Sequence, residues 1–251
     1  MGDPTFARCF DAQYRAFGED LALWLHLATE QGGPIVELGC GTGRVVRALV
    51  QAGHHTIGID YDRHMLARAQ IHLIPFFQQN SFLVRADLQT FRFSVSFNLA
   101  IASMNTLSTF DDTGLIAVFR NVSRHLAPGG IFAFEIPNPA IDPFKGADPD
   151  EPLTGFFEPD SGNHCQVYAQ RMTGPSQDQV GILWHYDELL EDGSAQRTTL
   201  RQEYYLRSKE KVGELLDRAN CTVIESYGDY ARSPFEGDSE TMIILARANP
   251  R

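Results

Sequence analysis

The chain has few lysines, few cysteines and no long apolar run, and each scarcity closes off a class of function. Only three lysines occur (Lys145, Lys209 and Lys211), and 32 acidic against 21 basic residues leave a formal net charge of -11. A surface of that sign repels phosphate backbones, and no basic cluster offsets it, so nucleic acid is not an expected substrate. The four cysteines (Cys9, Cys40, Cys165 and Cys221) are scattered and form no CxxC pair. That spacing argues against a structural zinc site and against a disulfide framework, and no metal ligand is assigned. No apolar stretch approaches the roughly 20 residues of a membrane span, and the stretch MGDPTFARCFD has no signal-peptide core. A cytoplasmic protein with no membrane partner is expected.

What is present suits a packed α/β domain. Hydrophobic residues make up 43% of 251 positions, enough for one large domain with or without an inserted piece. Residues 6–31 carry Phe10, Tyr14, Phe17, Leu21 and Leu25 at helical spacing and end at Gly32-Gly33-Pro34. Short apolar runs then alternate with helical stretches. Ile35–Leu38, His55–Asp60, Phe82–Arg85, Phe97–Ala102 and Ile131–Ile136 read as strands. Arg44–Ala52, Arg63–Leu73 and Asp112–Leu126 read as the helices between them. That alternation predicts parallel strands covered on both faces. Residues 137–160 hold six prolines and read as a long irregular connection. Beyond it, 166–207 is strand-like, with Asp192-Gly193 as a hairpin turn. A helix over 208–219 and strands at Thr222–Tyr227 and Met242–Ala246 resume the first rhythm.

The glycines of Glu37-Leu38-Gly39-Cys40-Gly41-Thr42-Gly43-Arg44 fall at a strand-to-helix turn, where backbone N–H groups can approach a ligand closely. A plain tight turn would look the same. A dinucleotide fingerprint would need glycine where Arg44 stands, and no YxxxK pair occurs, so an NAD-dependent oxidoreductase is disfavoured. Asp60 ends the second strand 17 residues after Gly43, where a carboxylate can accept hydrogen bonds from both hydroxyls of a ribose. Asp62 reads as the cap of the following helix. Asp87, after the third strand, can take the exocyclic amine of an adenine flanked by Leu88 and Met65.

This order of motifs, closed by Leu126-Ala127-Pro128-Gly129-Gly130, resembles the class I S-adenosylmethionine-dependent methyltransferases over about 30–136 and more loosely 207–247. The resemblance implies a Rossmann-like, doubly wound seven-stranded sheet of order 3-2-1-4-5-7-6 with its last strand antiparallel. The expected organisation is one domain: an N-terminal helical segment at 1–33, a core at 34–137 and 207–251, and an antiparallel β cap at 138–206. The cofactor implied is S-adenosyl-L-methionine, leaving S-adenosyl-L-homocysteine as product. Glu37, Gly39, Cys40, Gly41 and Gly43 would surround its methionine part. Asp60 and Tyr61 would hold the ribose, and Met65, Ala86, Asp87 and Leu88 would meet the adenine. Ser103 and Asn105 would lie at the methyl-transfer site.

The segment Ser103–Leu107 lacks the Asn/Asp-Pro-Pro-aromatic motif of adenine and glutamine methyltransferases. Leu107-Ser108-Thr109-Phe110 lacks the histidine that many small-molecule relatives carry there. The reading is methyl transfer to N or O of a small molecule, against a protein methyltransferase or a cofactor-binding regulatory protein without catalysis. Tyr14, His164 and His185 are the candidate general bases, followed by Asp187 and Tyr205; each also reads as an ordinary packed or solvent-facing residue. The aromatics Tyr168, Trp184, Tyr186, Tyr204 and Tyr205 either wall an acceptor site or form the inner face of a small sheet. The insertion is expected to act as a lid over the acceptor, with a homodimer surface as its second use.

Overall fold

The strand runs with no polar alternation are those buried on both faces. In the computed structural model, which describes residues 2–76, 81–141, 150–174, 176 and 178–250, they form one seven-stranded sheet. Its strands are β1 (Ile35–Leu38), β2 (Thr56–Asp60), β3 (Ser81–Arg85), β4 (Phe97–Ala102), β5 (Leu126–Pro137), β10 (Cys221–Tyr227) and β11 (Thr241–Ala248). They lie in the order β10-β11-β5-β4-β1-β2-β3, with β11 antiparallel to both its neighbours and the others parallel. Counted along the core alone, this is the expected 3-2-1-4-5-7-6.

Helices cover both faces. On one, α2 (Leu21–Gln31) and α3 (Arg44–Gln51) press Leu23, Trp24, Leu27, Val45 and Leu49 against Ile35, Ile101 and Ile243. On the other, α5 (Asp112–His125) and α6 (Lys209–Arg218) bury Leu115, Phe119, Leu215 and Leu216 against Val36, Phe132 and Ile244. Each such side chain contributes about 1.5–3 kcal/mol by leaving water. Beside β2, α4 (Arg63–Leu73) starts where Asp62 accepts the His64 N–H, the expected cap.

The second sheet is antiparallel, in the order β6-β7-β8-β9: β6 (Thr154–Phe157), β7 (His164–Thr173), β8 (Gln179–Leu189) and β9 (Ala195–Tyr205). The Asp192-Gly193 turn joins the last two, with Gly193 at φ +81°. Its inner face packs on α1 (Pro4–Tyr14), where Phe6, Ala7 and Cys9 meet Val167, Ile182, Trp184 and Tyr186. Arg8 pairs with Glu158 of the turn after β6 and with Glu188 of β8, Arg68 of α4 pairs with Asp160, and buried Asp11 holds Arg15, Arg68 and His72.

Two expectations change. The stretch 6–31 is two helices, because the chain turns at Phe17-Gly18 and Arg44 grips Asp20 at the start of α2. That turn lets α1 serve the cap and α2 the core. The connection at 137–160 contains a strand, β6, which adds to the edge of β7; residues 142–149 of it lie outside the described residues.

Candidate active site

Parallel strands place their carboxyl ends, and the loops beyond them, along one edge of the sheet. A cavity of about 680 Å³ opens there, between that edge, α1 and the cap sheet. Its floor is the glycine loop. Gly39 has φ +68°, and a Cβ on it would strike the Thr106 side chain at 2.3 Å; Gly41 has φ +52° and nothing within 4 Å of where a Cβ would stand. The first glycine is required by packing, and the second leaves its backbone bare toward the cavity.

Carboxylates brace this loop. Asp60 accepts the N–H groups of Gly41 (2.9 Å) and Asp62 (2.8 Å), one on each oxygen, so each oxygen keeps a lone pair for a ligand. Burial raises its pKa above the ordinary aspartate range. Glu37 is fully buried; it accepts the Val46 N–H at 2.9 Å and the Ser103 hydroxyl at 3.1 Å. Burial pushes its pKa up to about 8, although Arg44 nearby pulls the other way. Asp87 accepts the Gln89 N–H at 2.8 Å, and Met65 and Leu88 lie against the same part of the cavity. Tyr61 stands at the rim, 69% exposed, with the Arg85 guanidinium over its ring.

After β4 the chain turns through Met104 (φ +53°) and Asn105 (φ +58°), two consecutive non-glycine residues in the left-handed region. Such residues cost about 1–3 kcal/mol each and persist where their surroundings hold them. The Asn105 side-chain oxygen is buried at the cavity with no hydrogen-bond partner, an orphan acceptor that a ligand donor can satisfy.

The expected site residues Glu37, Gly39, Cys40, Gly41, Asp60, Tyr61, Met65, Asp87, Leu88, Ser103 and Asn105 all line this cavity. Gly43 and Ala86 do not. Gly43 packs on Ala69 and carries the turn into α3, and Ala86 packs into the core below.

The opposite wall is aromatic. Phe6, Phe10 and Tyr14 come from α1, and Val180, Trp184, Tyr186, Gln202 and Tyr204 from β8 and β9. Alternation along the strands decides membership: even-numbered residues of β8 and β9 face in, and odd-numbered ones face out. His185 therefore points away, with Nδ1 2.8 Å from the Thr199 hydroxyl, and Asp187 pairs with Arg197 on that outer face. Tyr205 and Tyr168 stack under Arg207 and Arg197 outside the cavity. On β7, Cys165, Val167 and Ala169 turn inward, so His164 faces out and packs its ring on Phe157. Of the three candidate bases only Tyr14 reaches the cavity, and burial raises its pKa, keeping the phenol protonated. The Tyr186 and Tyr204 phenols are held up by burial in the same way.

Sequence reasoning missed Phe6 and Phe10, which sit one helical turn apart on the α1 face that carries Tyr14. It also missed a buried polar group beneath the loop: Asp20, Arg44, Glu135 and Tyr230. Arg44 donates to both Asp20 oxygens at 2.5 and 2.7 Å, and Tyr230 donates to Glu135 at 2.9 Å. Acidic residues inside otherwise apolar stretches, such as Glu135 in Ile131–Ile136, were the available signal.

Among the described residues no helix is long and apolar enough to cross a membrane, and no group of three His, Cys, Asp or Glu side chains is gathered as a metal site.

Residues 35–130 match the model of a methyltransferase domain. Over 215 residues the chain is 23% identical to the cypemycin N-terminal methyltransferase of a Streptomyces species, covering 85% of this chain and 82% of that one. Over 141 residues it is 25% identical to a dTDP-3-amino-3,4,6-trideoxy-alpha-D-glucopyranose N,N-dimethyltransferase of Streptomyces venezuelae, covering 54% of this chain and 56% of that one. For several curated relatives the matched part is about half of their length. A solved structure of an S-adenosylmethionine-dependent methyltransferase from Clostridium acetobutylicum shares the fold at TM-score 0.79 and 18% identity, covering 98% of both chains. Its strand order and bare glycine loop, together with the methyltransferase domain matched at 35–130, give the chain the class I S-adenosylmethionine-dependent methyltransferase fold.

Proposed function

We propose that the chain methylates an amine nitrogen of a small, largely apolar acceptor held between α1 and the cap sheet. The observation that carries this is the contrast within one cavity. Its core side offers backbone N–H groups and carboxylates, and its cap side offers aromatic rings and protonated phenols. Among the described residues, the α1 and cap side contributes no imidazole and no carboxylate to the lining.

The residues on the core side fit the donor. Asp60 has a free lone pair on each oxygen for the ribose hydroxyls, and Asp87 with Met65 and Leu88 suits the adenine. Glu37, Gly39, Cys40 and Gly41 surround the methionine part, and the orphan oxygen of Asn105 can accept from its ammonium. Bound there, S-adenosylmethionine supplies a methyl group already activated on a sulfonium. The protein's part is to hold the acceptor in line and to exclude water.

The aromatic wall favours nitrogen over oxygen. An unprotonated amine attacks with its own lone pair and sheds a proton afterwards, whereas a hydroxyl needs a general base during attack. The buried phenols are poor bases and good donors, and ring faces accommodate an amine that arrives or leaves as a cation. The relatives whose names specify nitrogen methylation agree with this choice. Four buried free thiols suit a cytoplasmic setting.

The test is S-adenosylhomocysteine formation across matched panels of secondary amines, phenols and carboxylic acids. Turnover confined to amines supports the reading; turnover confined to phenols or acids overturns it.

A further inference from the structure

The polar group beneath the methyl-transfer loop has no place in that reading, and register explains why it is there. Ile101 of β4 pairs with Glu37 on one side and with Ala133 on the other. Two residues further along each strand, on the same face, stand Ser103 and Glu135. Each holds part of the site. Ser103 donates to Glu37, and the Glu135 carboxylate accepts the Tyr230 hydroxyl and, by the strand register, lies beside the backbone of Met104, the first residue of the left-handed turn, whose N–H favours its charged form. Every element around Glu135 is accounted for. Asp20 comes from the start of α2 with Trp24 bonded to it, Arg44 from α3, Met104 from the loop after β4, and Tyr230 from the segment after β10; the β11 partner, Ile243, is apolar.

We propose that Glu135 is a positioning residue for methyl transfer: with Tyr230 it pins the Met104–Asn105 turn from below, and so sets where Asn105 meets the donor. The inference rests on the donor reading only for its binding readout. The turn is expensive, and a buried carboxylate beside the Met104 N–H, itself held by Tyr230, is a direct reason for it to persist. The grip also depends on charge, because an ionised carboxylate accepts from both donors, whereas a protonated one must turn one oxygen into a donor. Among the described residues Arg44 is the cation that faces Asp20, Glu37 and Glu135 together, and it is already committed to Asp20. Burial accordingly raises Glu135 to about 7, so the grip tightens as pH rises through neutrality.

The experiment compares wild type with Glu135→Gln and Tyr230→Phe by two readouts. Backbone hydrogen exchange of the peptide carrying Met104 and Asn105, measured without ligand at pH 8, is expected to quicken about tenfold in E135Q and a few-fold in Y230F. Calorimetric titration with S-adenosylhomocysteine is expected to show E135Q binding five- to tenfold weaker than wild type at pH 8 and within twofold at pH 6. A residue that only supports the fold would lower Tm without changing that ratio with pH. Unchanged exchange together with a pH-independent affinity ratio overturns the proposal. If E135Q does not fold, Y230F decides by the same two readouts, since it removes one bond and leaves the carboxylate in place. Wild type that fails to bind S-adenosylhomocysteine would sink the donor reading instead, and the exchange result would still decide the role of Glu135.

Discussion

On the core sheet, the groups that face the cavity stand at the carboxyl ends of β1, β2, β3 and β4 and in the loops beyond them. Many of them act through backbone atoms or through carboxylates that brace the backbone. On the cap sheet they are side chains in the middle of β8 and β9, and each faces the cavity only because of its place in a two-residue alternation. The two walls therefore fail differently. A change in the core loops alters ligand shape and hydrogen bonding where no neighbour can compensate. A change on the cap alters the volume and polarity of a chamber, and a change one position along does nothing.

Gly41→Val probes the first wall hardest. The added side chain enters space that holds nothing within 4 Å, and its strained φ of +52° costs about 1–2 kcal/mol of stability. S-adenosylhomocysteine affinity by calorimetry should fall at least about 100-fold, with a Tm loss of only a few degrees. Affinity within tenfold of wild type would mean that the bare loop does not face the donor. Asp60→Ala follows. Loss of a charged acceptor is worth about 1.5–3 kcal/mol, so the same titration should show affinity about 10- to 100-fold weaker.

The cap should give the converse pattern. Trp184→Phe shrinks the inner face of β8 and removes the indole N–H from the cavity wall it shares with Tyr204. The KM for an amine acceptor should rise about tenfold, while S-adenosylhomocysteine binding stays within twofold and Tm changes little. Lost donor affinity would show that the two walls are not separable.

Stability against pH sharpens the contrast in a second way, because two buried glutamates of the core are held up while Glu188 and Asp11 on the cap side are held down. Glu37 at about 8 and Glu135 at about 7 lie above their value in the unfolded chain, for burial reasons. Their contribution is full below the ordinary glutamate range and is lost as pH rises through 7 to 8. On the cap side the Arg8 guanidinium holds Glu188 down to about 2, and Asp11 is held down by His72, Arg15 and Arg68 against its burial. That contribution is present above the ordinary carboxylate range and is lost on acidification. Ligand-free Tm should peak between about pH 5 and 6 and fall by several degrees toward pH 8.5. Glu135→Gln should flatten the alkaline arm, and an alkaline arm of unchanged slope would contradict the assignment. The smallest effect is expected for His185→Ala, one residue from Trp184 on the outer face: turnover and Tm within error of wild type.

The core wall was legible because its information is contiguous. Gly39-Cys40-Gly41 follow β1, Asp60 ends β2 and Asp87 stands two residues past β3, so locating the strand locates the residue. The cap wall was legible in composition but not in membership. Trp184, Tyr186 and Tyr204 were picked together with Tyr168, Tyr205, His164 and His185. Parity alone could have separated them, since Trp184 and His185 cannot face the same way on one strand. The break at Phe17-Gly18 hid behind a helical periodicity that happens to continue across it.

What the sequence by itself determined is the core: apolar runs at strand length, helices between them, and glycines and carboxylates at strand ends. Those signals are local, set by the few residues around each turn. The tertiary structure alone decided the rest. It brought Phe6 and Phe10 against a sheet more than 150 residues away, and it placed Glu135 under Met104 through the register of β4 and β5. It also turned both cap histidines out of the cavity. These are pairings between distant segments, and no local pattern encodes them, because they follow from which faces must be buried once the two sheets and α1 pack together.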